Sequence, residues 1–327
     1  MSELRWNAHL GEWTITSSVR MERTYHPPAT FCPLCPTGPG ALETEIPERD
    51  FDLVVFENRF SSFFDLAPEP SLAGTDLAPV RPSHGRCEVV VYTPQHAGSF
   101  GRLPLERLFR LALVWQDRYR ELGALDFIDY VLIFENRGRE VGVTLDHPHG
   151  QIYAFPYVPP IPARELQVAA DYHARTGCCL TCALLAEELA AGRRVVHENE
   201  HFVTAVPFAA RYPYETVVVP RACRLSLSEM DEPELWSLAE ALQAVALGYD
   251  ELFDLPLPYM MIFHQAPTLR QTQGEAHFHV EFHPLQRAKD KLKYRASVES
   301  GAGSFINDSL PEEKAVELRA AIEQAQI

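Results

Sequence analysis

The chain has 327 residues, 46% of them hydrophobic, which is enough for a large core or for two domains of ordinary size. A formal net charge of −16 and a pI near 5.3 argue against binding to nucleic acid or to an anionic membrane. No apolar run approaches the ~20 residues that span a bilayer, and the first residues lack the apolar stretch of a signal peptide. Seven cysteines in such a chain indicate thiols and metal ligands, so we expect a cytoplasmic enzyme without disulfides.

Two arginines follow the first predicted strand, which covers residues 13–16. Arg20 and Arg23 lie three positions apart and could face one way to clamp a phosphate by paired donors. Two solvated surface arginines explain the same spacing, and the sequence leaves both interpretations open.

A Cys-x2-Cys motif comes next, formed by Cys32 and Cys35. In a reducing compartment this spacing indicates half of a tetrahedral zinc site or a redox pair. A redox pair requires a helix directly after the motif, which the following prolines and glycines forbid: Pro36, Gly38, Pro39 and Gly40. The motif therefore favours zinc, provided that two further ligands exist.

The pattern of predicted elements occurs twice. In the first half, strands over 51–56 and 87–92 precede a helix over 103–122, a buried strand over 130–134 and a strand that contains His147. The second half repeats this order with segments at 198–202, 216–220, 232–253, 259–263 and 277–284. The repetition indicates an internal duplication. We place the junction within 159–175, where a proline cluster marks a connection, and divide the chain into halves 1–165 and 166–327.

The run His147-Pro148-His149-Gly150-Gln151 is the strongest candidate for chemistry. On a strand, His147 and His149 lie on the same face, because side chains alternate with period 2. Two imidazoles on one face can divide the work, one binding a metal and the other acting as a nucleophile.

Each half also offers four residues that suit structural zinc. The first set is Cys32, Cys35, His96 and His147, and the second is Cys179, Cys182, Cys223 and His277. For the second set, ordinary buried thiols on a helix beginning near Cys178 are the alternative.

A family resemblance rests on these motifs. The run from Asn136 through Gly142 to His-Pro-His-Gly-Gln, with its upstream Cys-x2-Cys, resembles the galactose-1-phosphate uridylyltransferases, a branch of the histidine-triad (HIT) superfamily. The likeness extends from Arg20 to Glu299. It implies an α+β fold of two HIT-like repeats, with antiparallel sheets flanked by helices, and a homodimer. It further implies exchange of a uridylyl group between UDP-glucose and galactose 1-phosphate through a covalent uridylyl-histidine.

The resemblance assigns roles by position. His149 corresponds to the nucleophile, and Gln151 to an amide that holds a phosphoryl oxygen where HIT hydrolases usually carry another histidine. The first zinc set matches the family at all four positions. The positions that match substrate contacts are Arg20, Arg23, Asn58, Phe60, Asn136, Gly142, Thr144, Gln151, Lys293, Tyr294, Val298 and Glu299.

Some positions depart from the family pattern. Thr144 replaces a serine and keeps its hydroxyl, while Asp146 places a carboxylate near the zinc histidine, as a partner of that histidine or as a surface residue. Some members bind a second metal, zinc or iron, with a glutamate and three histidines, for which Glu165, His264 and His279 are the matching positions here. Glu281 replaces the remaining histidine and would have to serve as the fourth ligand. We treat this set and the second cysteine set as incompatible and favour the cysteines, because they repeat the layout of the first half.

Glu281 also bears on what the second half does. It stands where Gln151 stands in the first half, and a carboxylate would repel a transferring phosphoryl group. We therefore expect one active histidine per chain.

Two other functions remain open. One is a related nucleotidyl enzyme, such as an ADP-sugar phosphorylase or a dinucleoside-polyphosphate phosphorylase; the other is a non-catalytic zinc-stabilised binding protein. The Gly- and Ser-containing segment 299–308 is expected to be a mobile loop over the sugar or a surface turn.

Overall fold

The structure is a computed structural model that describes residues 2–18, 31–38, 43–269 and 276–325. Its strands in chain order are β1 (Ser2–Asn7), β2 (Glu12–Ser17), β3 (Val54–Glu57), β4 (Val80–Pro82), β5 (Arg86–Val91), β6 (Tyr130–Arg137), β7 (His149–Phe155), β8 (Val195–Glu198), β9 (Phe202–Ala205), β10 (Thr216–Pro220), β11 (Tyr259–His264), β12 (His279–Pro284), β13 (Gln286–Ala288) and β14 (Lys291–Leu292). The helices are α1 (Leu105–Gly123), α2 (Pro160–Thr176), α3 (Leu180–Ala191), α4 (Glu232–Leu252), α5 (Ser297–Ala302) and α6 (Pro311–Ala325).

A nine-stranded antiparallel sheet organises the fold, in the order β3-β5-β7-β6-β11-β12-β10-β9-β8. The first half contributes the four neighbouring strands β3, β5, β7 and β6, and the second half contributes the remaining five. Beside this sheet, β2-β1-β4 form a three-stranded sheet, and β13 and β14 form a hairpin. The predicted α+β architecture is confirmed, although the strands of the two halves join into a single sheet at β6 and β11.

Helices α1 and α4 cover one face of the sheet. They occur where the apolar periodicity predicted helices, and Leu111, Trp115 and Leu242 are almost fully buried there. An Asp231–Glu234 capping box fixes the start of α4. The opposite face carries polar side chains, among them those of His149 and Gln151, beside smaller apolar clusters such as the one formed by Val89 and Val91 with Leu34 and Ile46.

The connection between the halves is helical. The proline cluster at 159–162 occupies the first turn of α2, where proline is tolerated because the first helical N–H groups have no partner within the helix. The proposed division after residue 165 therefore falls inside α2. Helices α2 and α3 pack on each other, and of their residues only Pro162 is buried.

The duplication predicted from element order is visible in the sheet. Strands β5, β6 and β7 correspond to β10, β11 and β12, and α1 corresponds to α4. In the sheet, β3 pairs with β5 as β9 pairs with β10, and β8 is an additional edge strand of the second half. One ladder row runs from Gln151 through Phe134 and Ile262 to Glu281, so the two corresponding polar residues lie on the same face.

Candidate active site and metal centres

The two histidines of the first half lie at the start of β7. The Nδ1 atom of His149 lies 2.7 Å from the carbonyl oxygen of His147 and donates to it. In this tautomer the Nε2 atom carries the lone pair, which is the form that can attack an electrophile.

Gln151 is oriented by Asn58, which follows β3. The Asn58 side-chain amide donates to Gln151 Oε1 over 3.2 Å, while Asn58 Oδ1 accepts from the Phe60 backbone N–H at 2.9 Å. Because the Gln151 oxygen is engaged, its NH₂ group is the part that can donate to a ligand.

A cleft of about 260 Å³ opens over His149 and Gln151. It is lined by Phe134, Asn136, Val141, Gly142, Val143, Thr144, His149, Gln151 and Tyr153. Gly142 ends a short 3-10 turn with a φ of 82°, a conformation that glycine adopts at little cost. The predicted residues Asn136, Gly142, Thr144, His149 and Gln151 thus come together around one cavity. Sequence reasoning missed Phe134 and Tyr153, although strand alternation places Tyr153 on the same face as His149.

Two other groups of predicted contacts lie elsewhere. Arg20 and Arg23 are outside the described residues. In the segment after β14, the Lys293 ammonium lies 2.8 Å from the Glu299 carboxylate, both side chains are buried, and this pairing lowers the pKa of Glu299 to about 2. Tyr294 and Val298 are exposed, and none of the four residues of this segment contributes to the cleft lining. Residues 299–308 are the end of α5 followed by a stretch without regular secondary structure.

The first predicted zinc set assembles as a cluster. The ligand atoms of Cys32, Cys35, His96 and His147 all lie within 4.8 Å of one another. His147 Nε2 donates to the Thr93 carbonyl at 2.7 Å, so its Nδ1 faces the sulfurs of Cys35 at 3.6 Å and Cys32 at 3.8 Å with a lone pair. This is the tautomer that a metal requires.

Electrostatics in this first cluster also suit a cation. Burial lowers the pKa of His147, which keeps its imidazole neutral, and burial beside Cys35 raises the pKa of Cys32 to about 11. Two neighbouring thiolates are stable there only with a positive ion between them. The S₂N₂ donor set therefore fits zinc. Asp146 is turned away from the cluster: its side chain is 74% exposed, so it is a surface residue.

The second cysteine set assembles in the same way. The ligand atoms of Cys179, Cys182, Cys223 and His277 lie within 4.8 Å of one another. His277 Nδ1 faces Cys179 at 3.4 Å and Cys182 at 3.5 Å, while Nε2 lies 3.3 Å from the Pro220 carbonyl. Burial opposes ionisation of Cys179, but the hydrogen bond to His277 lowers its pKa to about 6. The S₃N donor set also fits zinc.

The carboxylate–histidine set forms as well, so the expectation that the two second-half sets are incompatible is wrong. The ligand atoms of Glu165, His264, His279 and Glu281 lie within 4.8 Å of one another and share no residue with the cysteines. The two sets coexist because His277 precedes β12 and meets the cysteines, whereas His279 and Glu281 lie on β12 and meet α2 and β11.

Contacts within this carboxylate–histidine cluster include two residues that sequence reasoning missed. His264 Nδ1 lies 2.7 Å from Glu165, and the His264 and His279 rings stack at 4.8 Å. The Glu281 carboxylate also pairs with the Arg211 guanidinium and with His283 Nε2, each at 2.8 Å. Strand alternation places His283 on the face of Glu281, but no sequence pattern indicated Arg211.

Comparisons with known proteins identify the family of the chain. The family model for the galactose-1-phosphate uridyl transferase N-terminal domain matches residues 1–159, and the model for the C-terminal domain matches residues 165–322. The pair of matches defines the class as a uridylyltransferase. The chain belongs to the galactose-1-phosphate uridylyltransferase family.

Individual relatives span the whole chain. The galactose-1-phosphate uridylyltransferase of Thermotoga maritima is 42% identical over 98% of both chains. A solved uridylyltransferase structure is 34% identical, with a TM-score of 0.88 over 98% of this chain and 99% of the other. An ADP-glucose phosphorylase from Arabidopsis thaliana, solved with bound ADP-glucose, is 24% identical with a TM-score of 0.74 over 98% of both chains and shares the fold. No helix in the described part of the chain is long and apolar enough to cross a membrane.

Proposed function

We propose that the protein exchanges UMP between UDP-glucose and galactose 1-phosphate in two steps through a uridylyl-His149 intermediate. The observation that carries this proposal is the pairing of His149, with Nδ1 bound to the His147 carbonyl, and Gln151, with its amide set by Asn58, over one cleft. The family supplies the substrates that fit such a pair.

The chemistry balances without a further reactant. The His149 Nε2 lone pair attacks the α-phosphorus of UDP-glucose, an N–P bond forms, and the bond to the β-phosphate oxygen breaks to release glucose 1-phosphate. A phosphate oxygen of galactose 1-phosphate then attacks the same phosphorus and breaks the N–P bond, giving UDP-galactose. The Gln151 NH₂ group would donate to a non-bridging oxygen in both steps. An uncharged amide does this without serving as a general base for water, which favours transfer over hydrolysis.

Binding roles follow from position. Asn136, Gly142 and Thr144 line the cleft and are proposed to hold the nucleotide sugar, with Asn58 and Phe60 behind Gln151. Arg20 and Arg23 remain predicted phosphate contacts. Lys293, Tyr294, Val298 and Glu299 do not line the cleft of their own chain, so their proposed contact with the hexose would be made at the cleft of a second copy. This ties the sugar segment to a homodimer, which light scattering would detect.

The metals are proposed to be structural. Zinc would be held by Cys32, Cys35, His96 and His147, and a second zinc by Cys179, Cys182, Cys223 and His277. The set of Glu165, His264, His279 and Glu281 would take zinc or iron. Bound metal would supply cross-links that fix the ends of β7 and β12. We further propose a cytoplasmic location, in keeping with seven cysteines in the free form, and the division of roles between residues 1–165 and 166–327.

Intact-mass measurement after exposure to UDP-glucose tests the function. A uridylyl adduct that maps to the His149 peptide, is lost in acid and is discharged by galactose 1-phosphate is the expected result. A folded, metal-loaded protein that turns over donor without forming this adduct would sink the proposal. A parallel incubation with ADP-glucose and inorganic phosphate tests the phosphorylase alternative, since adduct formation only with the adenine donor would replace our assignment.

A further inference from the structure

A buried tyrosine supports the backbone between the two active-site side chains. Gly150 turns toward the helix-covered face of the sheet, and a Cβ atom there would lie 2.1 Å from the Tyr92 hydroxyl oxygen. The Phe134 carbonyl oxygen and the Tyr92 Cζ atom would each be 3.1 Å away. The β7 backbone thus rests on the end of the Tyr92 side chain, which only glycine permits.

The Tyr92 ring has no room to move aside. It is 1% exposed and packs edge-on against Phe100 and Trp115, with ring centroids 6.0 and 6.2 Å away. Its hydroxyl is buried beside the carboxyl group of Glu135, with which it interacts.

Among the charged side chains, Glu135 has the largest electrostatic effect on this hydroxyl. Burial first, and then the charge of Glu135, raise the pKa of Tyr92 well above its usual range. Glu135 is itself buried on β6 and accepts a hydrogen bond from the Tyr259 hydroxyl at 3.1 Å. Tyr259 belongs to β11, and Arg137, which lies over its ring at 5.6 Å, pairs with Asp250 of α4 at 2.7 Å.

These contacts form a continuous set of buried polar groups that leads from the underside of Gly150 into the second half. We propose that Tyr92 is a positioning residue for the transfer reaction. Its hydroxyl contacts Gly150 from the helix-covered face of the sheet, so that His149 and Gln151 are both held toward the cleft. Glu135 lies beside this hydroxyl and is in turn bound by Tyr259. This inference rests on the proposed function of His149 and assigns the second half a direct mechanical part in it.

A compensating pair of substitutions tests the inference. Gly150→Ala places a methyl group against the Tyr92 hydroxyl, so β7 must shift. A misplacement on the order of 1 Å lowers a rate by about 100-fold, and we expect a loss of this size in the formation of the His149 adduct. Tyr92→Phe removes the obstructing oxygen and leaves contacts of 3.1 Å to the Phe134 carbonyl oxygen and to the ring Cζ atom, so the double variant should recover part of that loss. Tyr92→Phe alone should lower the adduct rate with little change in KM, because the contact between the hydroxyl and Gly150 is lost while the residues that line the cleft are unchanged.

The matched control is Tyr249→Phe, a second fully buried tyrosine, whose hydroxyl bonds Thr216 and the Tyr214 carbonyl. It should not rescue Gly150→Ala. If Gly150→Ala fails to fold, thermal unfolding of the double variant replaces the rate, and folding should return with Tyr92→Phe but not with Tyr249→Phe.

Two readouts separate this inference from the function on which it rests. The ¹⁵N shifts of the His149 imidazole report its tautomer without turnover, and Gly150→Ala should weaken the Nδ1–H form that the double variant restores. A parent protein that never forms the adduct defeats the proposed function. A parent that forms it, combined with an unrescued double variant and an unaltered Tyr92→Phe rate, overturns the positioning role alone.

Discussion

The two halves of the chain build the same backbone arrangement and fill it with different chemistry. In each, a histidine pair marks the start of a strand, the first imidazole faces cysteines, and the second donates Nδ1–H to the carbonyl of the first, at 2.7 Å for His149 and 3.0 Å for His279. The halves differ in the residue two positions after the second histidine and in the groups that face this histidine. Beside His149 are Gln151 and an open cleft, whereas beside His279 are Glu281, Glu165 and His264.

This comparison teaches that the same histidine geometry occurs in two different chemical surroundings. A carboxylate at the amide position attracts Arg211 and His283, and it would repel a phosphoryl group. The α2 helix supplies Glu165 where the first half has open space. The duplicated backbone therefore carries an open cleft beside the second histidine of the first half and a carboxylate–histidine cluster beside the second histidine of the second half.

The largest effect is expected from removing the nucleophile. His149→Gly should lower exchange on the order of 10⁴-fold or more, since the N–P bond cannot form. Metal content should be retained, because His149 is not in either cysteine cluster. Peptide mapping of the parent should place the adduct on His149 and none on His279. The exposed His9→Gly is the control, and an adduct on the His279 peptide would break the contrast between the halves.

The next largest effect on the transfer reaction is expected when Gln151 is replaced by glutamate, the residue at the corresponding position of the second half. Gln151→Glu removes a donor and adds a charge beside the phosphoryl oxygens, so the single-turnover rate of adduct formation should fall by about 10²- to 10³-fold. The same change at Gln167, which is exposed on α2, should leave that rate alone. A Gln151→Glu variant with the parental rate would show that the amide is not what separates the halves.

Loss of a cysteine from either cluster should affect metal and stability. Cys35→Ser and Cys182→Ser should each remove one metal equivalent per chain by elemental analysis and lower Tm by several degrees, because the cross-link contributes to folding. Cys178→Ser is the matched control: it is exposed, adjoins Cys179 and belongs to no cluster. Unchanged metal content in Cys182→Ser would contradict a zinc site in the second half.

The smallest expected effect concerns the contact between the halves at Glu135. Burial raises the pKa of this carboxyl from 4.5 to about 7. Between these values the unfolded chain has lost a proton that the folded chain keeps, so the free energy of unfolding falls as pH rises. Glu135→Gln removes this dependence, which amounts to about 3 kcal/mol.

Denaturant unfolding across pH measures the effect. The Gln variant should match the parent near pH 4, where Glu135 is neutral in both states, and should be the more stable protein near pH 8. Equal slopes of stability against pH for parent and variant would show that Glu135 does not titrate in this range.

Much of this site follows from residue spacing. Strand alternation places His149, Gln151 and Tyr153 on one face, and the two Cys-x2-Cys motifs with their later histidines predict both clusters. The proline cluster marked the junction but did not reveal that α2 begins there and brings Glu165 to His264, because proline in a first helical turn resembles proline in a loop.

Other features depend on distant parts of the chain. The Asn58–Gln151 contact joins residues 93 positions apart, and the Arg211–Glu281 pair joins residues 70 apart. The surroundings of Gly150 illustrate the limit most clearly: a glycine after a histidine indicates close approach of some group, and only the packed sheet shows that the group is the Tyr92 hydroxyl. Spacing predicts which face a side chain takes, whereas its contacts are set by tertiary packing.

The seam between β6 and β11 has a consequence for any attempt to divide the protein. Residues Phe134–Arg137 pair with Tyr259–Ile262 along this line, so a first half produced alone would expose the unpaired backbone edge of β6 to solvent. Such an edge is a template for intermolecular pairing and aggregation. The Glu135 carboxyl would also lose the hydrogen bond that it accepts from Tyr259. The two repeats, which look separable in the amino-acid order, share one continuous sheet in the folded molecule.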